Sequence, residues 1–291
     1  MRMIALFIAG TKRIFGLHHL GRNLVVFPDD IFIVSYPKSG NTWTRFLVAN
    51  LVHPEEPASF ANIDRLIPES EGLSKRQLSR VPRPRIMKSH QYFDPRYRQI
   101  IYVVRDPRDV ALSQYHFYRK RRRIEDDYPV EQFVSRFVAG ATSDYGSWGE
   151  NVASWVATRH GRPGFLLLRY EDMIAQTARE LTRLASFLGI AVTPERLAQI
   201  VERSSSDEMR KMEKSQALKC SLTKDTRLDL PFVRAAKPGE WESGLQQTAV
   251  AEIEAAWAPL MKWLGYELVS GHKHSQSGFN FPASMLNGQA R

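Results

Sequence analysis

The sequence predicts an α/β fold, and three observations predict it. Three apolar runs, Ile31–Val34, Ile100–Val104 and Phe165–Leu168, have the length and unbroken hydrophobicity of strands buried on both faces. Stretches whose apolar residues recur at helical spacing alternate with these runs. The first run also passes through a tight turn, Pro37-Lys-Ser-Gly40, directly into such a stretch, where Trp43, Phe46, Leu47 and Leu51 share a face. At 291 residues the chain has room for one large domain or two small ones. Its apolar share of 43% is enough to fill a sizeable core.

A strand, a glycine turn and a helix make a geometry that holds phosphate. The free N–H groups of the first helical turn and the loop amides converge, and the helix dipole adds partial positive charge there. Lys38 supplies a full charge, Ser39 and Thr42 supply hydroxyls, and Gly40 permits the turn. The triphosphatase loop is excluded, because it needs Gly, four residues, then Gly-Lys-Ser/Thr. Here the lysine precedes the glycine.

The string Tyr36-Pro-Lys-Ser-Gly-Asn-Thr-Trp43 resembles the 5′-phosphosulfate loop of sulfotransferases, which use 3′-phosphoadenosine 5′-phosphosulfate (PAPS). The family form is Tyr-Pro-Lys-Ser-Gly-Thr-Thr-Trp. Asn41 replaces the first threonine and is expected to donate through its amide. The resemblance implies a P-loop-like three-layer α/β fold, a central parallel sheet flanked by helices, in a single domain over 1–270. Residues 271–291 read as a polar tail.

Between His53 and Val81 the composition predicts loops and one or two short helices, a common place for substrate contacts. A short strand at Ile86-Met87 then runs into Lys88-Ser-His90. Ligands sit off the C-terminal ends of parallel strands, so His90 is placed toward the crevice of Lys38. The family carries Lys-Thr/Ser-His here, which makes Lys88 and His90 catalytic candidates together with Lys38. Ile100–Val104 leads into Arg105-Asp-Pro-Arg-Asp-Val-Ala-Leu-Ser113, with Asp106 as N-cap and Pro107 at the first helical position. The family's second nucleotide motif has this form, and the resemblance assigns Arg105 and Ser113 to the 3′-phosphate. Arg119-Lys-Arg-Arg-Arg123 ends that helix and reads as a solvated, dipole-complementing terminus.

Helices are predicted at 130–137 and 148–160, the second closed by Gly161. Further helices are predicted at 178–188, stopped by Gly189, and at 194–203, capped by Thr193. After the strand 165–168, the resemblance places Tyr170 near adenine, while packing of a strand-end tyrosine stays open. Ser204 stands where the family has a threonine touching adenine, and Ser206 replaces its stacking phenylalanine, leaving more of that contact to Trp43. The stretch 214–232 is polar and poorly periodic, as a lid would be. Arg234-Ala-Ala-Lys-Pro-Gly-Glu-Trp241 resembles the family's Arg-Lys-Gly-x-x-Gly-Asp/Glu-Trp. Arg234 matches, Ala235 and Ala236 do not, and Lys237 is placed to compensate. A last helix is predicted over 248–264.

The net charge of +10 fits an anionic ligand, nucleic acid or an acidic membrane surface. The basic runs lack interleaved aromatics, so nucleic acid is not expected. Cys220 is the only cysteine, which excludes an internal disulfide and a cysteine metal site and favours a reducing, cytoplasmic setting. No metal is expected, and the tail residues His272 and His274 read as incidental. Residues 3–20 form a basic amphipathic pattern too short to span a bilayer, open to core packing or peripheral membrane contact. The expected activity is in-line transfer of a sulfuryl group from PAPS to a hydroxyl or amine of a small-molecule, lipid or glycan acceptor. A P-loop kinase and a non-catalytic PAPS- or anion-binding module are the alternatives. The family's short dimerisation motif finds no clear match around 247–254, so a homodimer is left open.

Overall fold

A computed structural model describes residues 24–216, 218, 219 and 222–270. The amphipathic stretch 3–20, Cys220 and the tail with His272 and His274 lie outside the described residues. Four strands, β1 (Ile31–Ser35), β2 (Ile86–Ser89), β3 (Gln99–Val104) and β4 (Phe165–Arg169), form one parallel sheet in the order β2-β1-β3-β4. Helices cover both faces, giving the three layers expected. Alternation along β1 shows why its sequence is apolar throughout: Phe32 and Val34 enter one core and Ile33 enters the other.

On the first face pack α4 (Pro107–Lys120), α5 (Val130–Val138), α6 (Trp148–Arg159), the short α11 (Trp241–Gly244) and α12 (Gln247–Trp263). On the second lie α1 (Asn41–Val52), the short α7 (Tyr170–Ala175), α8 (Thr177–Phe187) and α9 (Pro194–Arg203). Short helices α2 (Ile63–Leu66) and α3 (Lys75–Leu78) fill the first long connection, as its composition suggests. Local chemistry sets several boundaries. The Asp106 side chain accepts from Arg108 N–H ahead of Pro107, and the Thr193 side chain accepts from Arg196 N–H ahead of Pro194. Ser147 and Glu150 form a reciprocal capping box at α6.

Three features differ from the sequence reading. Helix α10 (Ser206–Gln216) is not expected from the sequence and runs only into the first three residues of the stretch 214–232 read as a polar lid; nine of its eleven positions are polar or charged, so no apolar face announces it. Helix α12 is kinked at Trp257, ahead of Pro259, where the ring of Trp257 lies against Gly149. The basic end of α4 is not simply solvated. Lys120 is buried and donates to the carbonyls of Arg227 and Leu230 at 2.7 and 2.6 Å, anchoring the segment that follows α10. Among the described residues, no helix is long and apolar enough to cross a membrane.

At the N-terminal edge of the sheet, Arg85 and Asp30 form a buried ion pair, with Arg85 Nε donating to Asp30 Oδ1 at 2.8 Å. Asp30 also accepts from Phe27 N–H at 2.7 Å. Removing one partner strands the other charge in the core. Asp30→Ala is expected to lower stability by about 3–5 kcal/mol, read as a reduced urea midpoint at unchanged m. A loss below about 1 kcal/mol, the scale of an exposed pair, would contradict this account.

Candidate active site

The site lies where the chain leaves β1 and β3 in opposite directions. α1 turns onto one face of the sheet and α4 onto the other, which opens a crevice between the two strand ends. Register brings the sequence motifs level there. Val34 pairs with Ser89 and with Tyr102, so Ser35 and His90 end side by side. Val104 pairs with Arg169, so Arg105 and Tyr170 emerge together, with the guanidinium 4.4 Å from the tyrosine ring centre.

Gly40 caps α1 in the left-handed region, at φ 100°. The N–H groups of Asn41, Thr42 and Trp43 are the free donors of the first helical turn. A Cβ on Gly40 would stand 2.5 Å from Tyr170 Cδ2, so glycine is required by the ring of the residue that follows β4, 130 positions away, as well as by φ. Ser39 Oγ is buried and has no hydrogen-bond partner. Lys38, at φ 70°, places its ammonium 4.3 Å from the ring centre of Phe117 and 4.5 Å from that of Phe232. Burial lowers its pKa to about 7, and the charges of Arg234, Arg105 and Arg121 push the same way.

The second group gathers around Arg105. Its Nη2 donates to Lys237 O at 3.3 Å and lies 3.4 Å from Asp109, whereas its Nε is buried without a partner. Arg234 pairs with Glu240 at 2.7 Å. Ser113 stands two turns along α4 from Arg105. Lys237 is exposed, and its recorded contribution is the carbonyl that receives Arg105. Ala236 keeps a left-handed φ of 53°, so the backbone retains the shape the missing glycine would favour.

His90 Nδ1 lies 2.6 Å from Ser35 O, so with its proton there the ring presents Nε2 as the free acceptor. Its pKa falls to about 3, first through burial and then through the charge of Lys88. The ring is therefore in its base form at neutral pH. Lys88 is buried and donates to Glu69 at 2.8 Å, so its ammonium is not free for the transferred group alone, as the motif suggested. The ring of Tyr145 stands 5.5 Å from that of His90. Glu71 accepts from Ser89 Oγ and from His90 N–H, and burial raises its pKa.

Two motif residues are used differently from expectation. The Asn41 amide donates to Ile33 O at 3.1 Å and Ser35 Oγ at 3.2 Å. It braces β1, leaving the Asn41 backbone N–H to face the crevice. Ser204 is fully buried, accepts from Asn50 Nδ2 at 3.0 Å, and receives Trp43 Nε1 on its carbonyl at 2.8 Å. Its hydroxyl is turned away; what it does is orient the indole. Trp43 then stands edge-on to Tyr170, with ring centres 5.9 Å apart. Tyr170 is thus packed against Gly40, Trp43 and Arg105 within the site.

Sequence reasoning missed Phe117, Phe232, Asp109, Lys120 and Glu213. Phe117 and Asp109 each lie four residues from Ser113 on α4, a signal that was legible. Phe232 and the Lys120–Glu213 pair are joined only by the fold. Glu213 accepts from the N–H groups of Phe232 and Val233 at 2.6 and 2.9 Å, which sets Phe232 over Lys38. Among the described residues, no group of three or more His, Cys, Asp or Glu could hold a metal ion.

The crevice brings together two clusters of cations and a neutral histidine, an arrangement suited to an anionic ligand. The family described as "Sulfotransferase domain" matches residues 28–265, and the chain belongs to that family and is a sulfotransferase. It is 30% identical to sulfotransferase 1A1 of Bos taurus over 252 residues, 81% of this chain and 84% of that one. It is also 30% identical to sulfotransferase 1E1 of Rattus norvegicus over 255 residues, again 81% and 84%. The solved structure of mouse sulfotransferase SULT7A1 complexed with PAP superposes with a TM-score of 0.64 at 28% identity, covering 81% of this chain and 86% of that one. Retinol dehydratase in complex with androsterone and inactive cofactor PAP shares the fold, with a TM-score of 0.68 at 21% identity over 86% and 84% of the chains.

Two outcomes follow from the loop. A phosphate placed at Lys38 restores its proton, so binding 3′-phosphoadenosine 5′-phosphate at pH 8, above the free value of about 7, should take up a proton. Calorimetry in buffers of different ionisation enthalpy should detect this uptake in the native protein and lose it in Lys38→Met; equal uptake in both would overturn the assignment. Gly40→Ala should weaken nucleotide binding at least tenfold by displacing Tyr170, measured by titration, and unchanged affinity would refute the contact.

Proposed function

We propose that the protein moves the sulfuryl group of PAPS onto a hydroxyl or amine of a small-molecule acceptor. One observation carries the donor reading: Lys38, Arg105, Arg121 and Arg234 converge on one crevice in which Ser39 Oγ and Arg105 Nε are buried and unpartnered. The free first-turn N–H groups of α1, with Ser39 and Lys38, suit the 5′-phosphosulfate. Arg105, Ser113 and Arg234 suit the 3′-phosphate, since a guanidinium forks onto phosphate oxygens. Trp43 and Tyr170 offer faces for adenine. The PAP complex of the mouse relative supports this placement.

In the reaction the acceptor oxygen or nitrogen attacks sulfur, and the bond from sulfur to the bridging phosphate oxygen breaks. His90 Nε2 takes the acceptor proton while Nδ1–H stays on Ser35 O, which holds the ring orientation. Lys38 neutralises charge growing on the departing phosphate. Lys88, fixed by Glu69, adds positive charge beside the reacting group. Positioning and charge stabilisation carry most of the rate, as in phosphoryl transfer. The low pKa of His90 makes it available but weakly basic, and the anionic donor raises its basicity once bound.

The test is transfer of label from radioactive PAPS, with ATP and magnesium in parallel, to a panel of phenols, alcohols and amines. Transfer from PAPS alone is expected. Label moving from ATP but never from PAPS would favour a kinase and overturn the proposal. His90→Ala is expected to lower kcat by about 10²–10⁴-fold while nucleotide affinity stays within twofold. Undiminished kcat would remove His90 from the base role.

A further inference from the structure

Asp109 touches no expected ligand position, yet it joins the two halves of the second anion site. It lies in the first turn of α4 and is 1% exposed. Oδ2 accepts from Gly239 N–H at 2.8 Å, and Oδ1 accepts from Trp241 N–H at 3.1 Å. The same carboxylate stands 3.4 Å from Arg105 Nη2, and Arg105 donates to Lys237 O at 3.3 Å. One buried group therefore ties the arginine at the end of β3 to both ends of the loop from Lys237 to Trp241.

Two further contacts complete the cradle. Glu240, between the two N–H groups that Asp109 receives, pairs with Arg234 at 2.7 Å. Trp241 lies under Arg108, whose guanidinium is 3.8 Å from the ring centre and is itself held by Asp106 and Glu254. Arg105 and Arg234 are like charges in a partly dry site and repel one another. A carboxylate behind them permits both guanidiniums to face the same ligand. Among the described residues no hydrogen bond or ion pair runs directly from Asp109 to the Lys38 loop, which it reaches only through Arg105 and Tyr170.

We propose that Asp109 is a positioning residue that determines the preference of this site for a 3′-phosphorylated nucleotide. It does so by locking Arg105 and the Arg234–Trp241 loop into one cradle. The inference rests on the PAPS reading above. Asp109→Asn is nearly isosteric, but it removes the charge opposite Arg105. It also turns an amide N–H toward one of the two backbone donors, Gly239 or Trp241.

The test compares 3′-phosphoadenosine 5′-phosphate with adenosine 5′-monophosphate, which lacks the 3′-phosphate, by calorimetry on the full chain. The native protein should bind the bisphosphate more tightly. In Asp109→Asn the bisphosphate affinity should fall at least tenfold while the monophosphate affinity stays within twofold, so the ratio between them collapses. The retained monophosphate affinity is also the check that the variant is folded. A general loss of structure would weaken both ligands together and leave the ratio standing, which overturns the proposal. If Asp109→Asn does not fold, Asp109→Glu keeps the charge but displaces it, and it should show a reduced ratio at unchanged monophosphate affinity. A native preference that survives both variants sinks the Asp109 assignment alone. A native protein with no preference for the bisphosphate sinks the donor reading with it.

Discussion

Repulsion between like charges is the constraint on which the rest of the site depends. Lys38, Arg105, Arg121 and Arg234 are close enough to influence one another, and the crevice offers little water to screen them. Carboxylates in front would neutralise the site and block an anion. The protein places them behind. Asp109 backs Arg105, Glu240 backs Arg234, and Glu69 backs Lys88. Lys38 is held by the faces of Phe117 and Phe232, which stabilise the charge without supplying an acceptor.

Helix α4 carries much of this arrangement. Asp109 and Lys120 lie three turns apart on it, and each is buried and reaches a different loop. Asp109 holds the Arg234–Trp241 loop. Lys120, with Glu213, holds the segment that ends in Phe232. Lys120 therefore serves the site from within the fold, whereas Arg122 and Arg123 of the same run are exposed, as composition suggested. The departures from the family pattern are also absorbed locally. Ala236 adopts the left-handed backbone at a cost of about 1–2 kcal/mol. Asn41 spends its amide on β1 while its backbone N–H keeps its place at the start of α1.

Much of the architecture was legible. Apolar runs marked β1, β3 and β4 because strands covered on both faces leave no room for alternation. Caps at Asp106 and Thr193 are local chemistry and act within four residues. Helix α10 was not legible, since so little of its surface is apolar. The cation residues could be named, because phosphate recognition demands Lys, Arg, Ser and Gly types in fixed local order. Their partners could not, because Glu213 meets Phe232 and Lys120 through contacts that no short window contains.

The sequence by itself determined the strand–turn–helix loop, the placement of Lys38, His90 and Arg105 at strand ends, and the sign of the ligand's charge. These depend on hydrophobic period and residue type within a few positions. Only the tertiary structure decided that Gly40 faces Tyr170, that Ser204 serves the Trp43 indole, and that burial and Lys88 keep His90 neutral while the Ser35 carbonyl orients its ring. Those outcomes depend on register between strands and on burial, which shift energies through distance and solvent exclusion that a linear pattern does not contain.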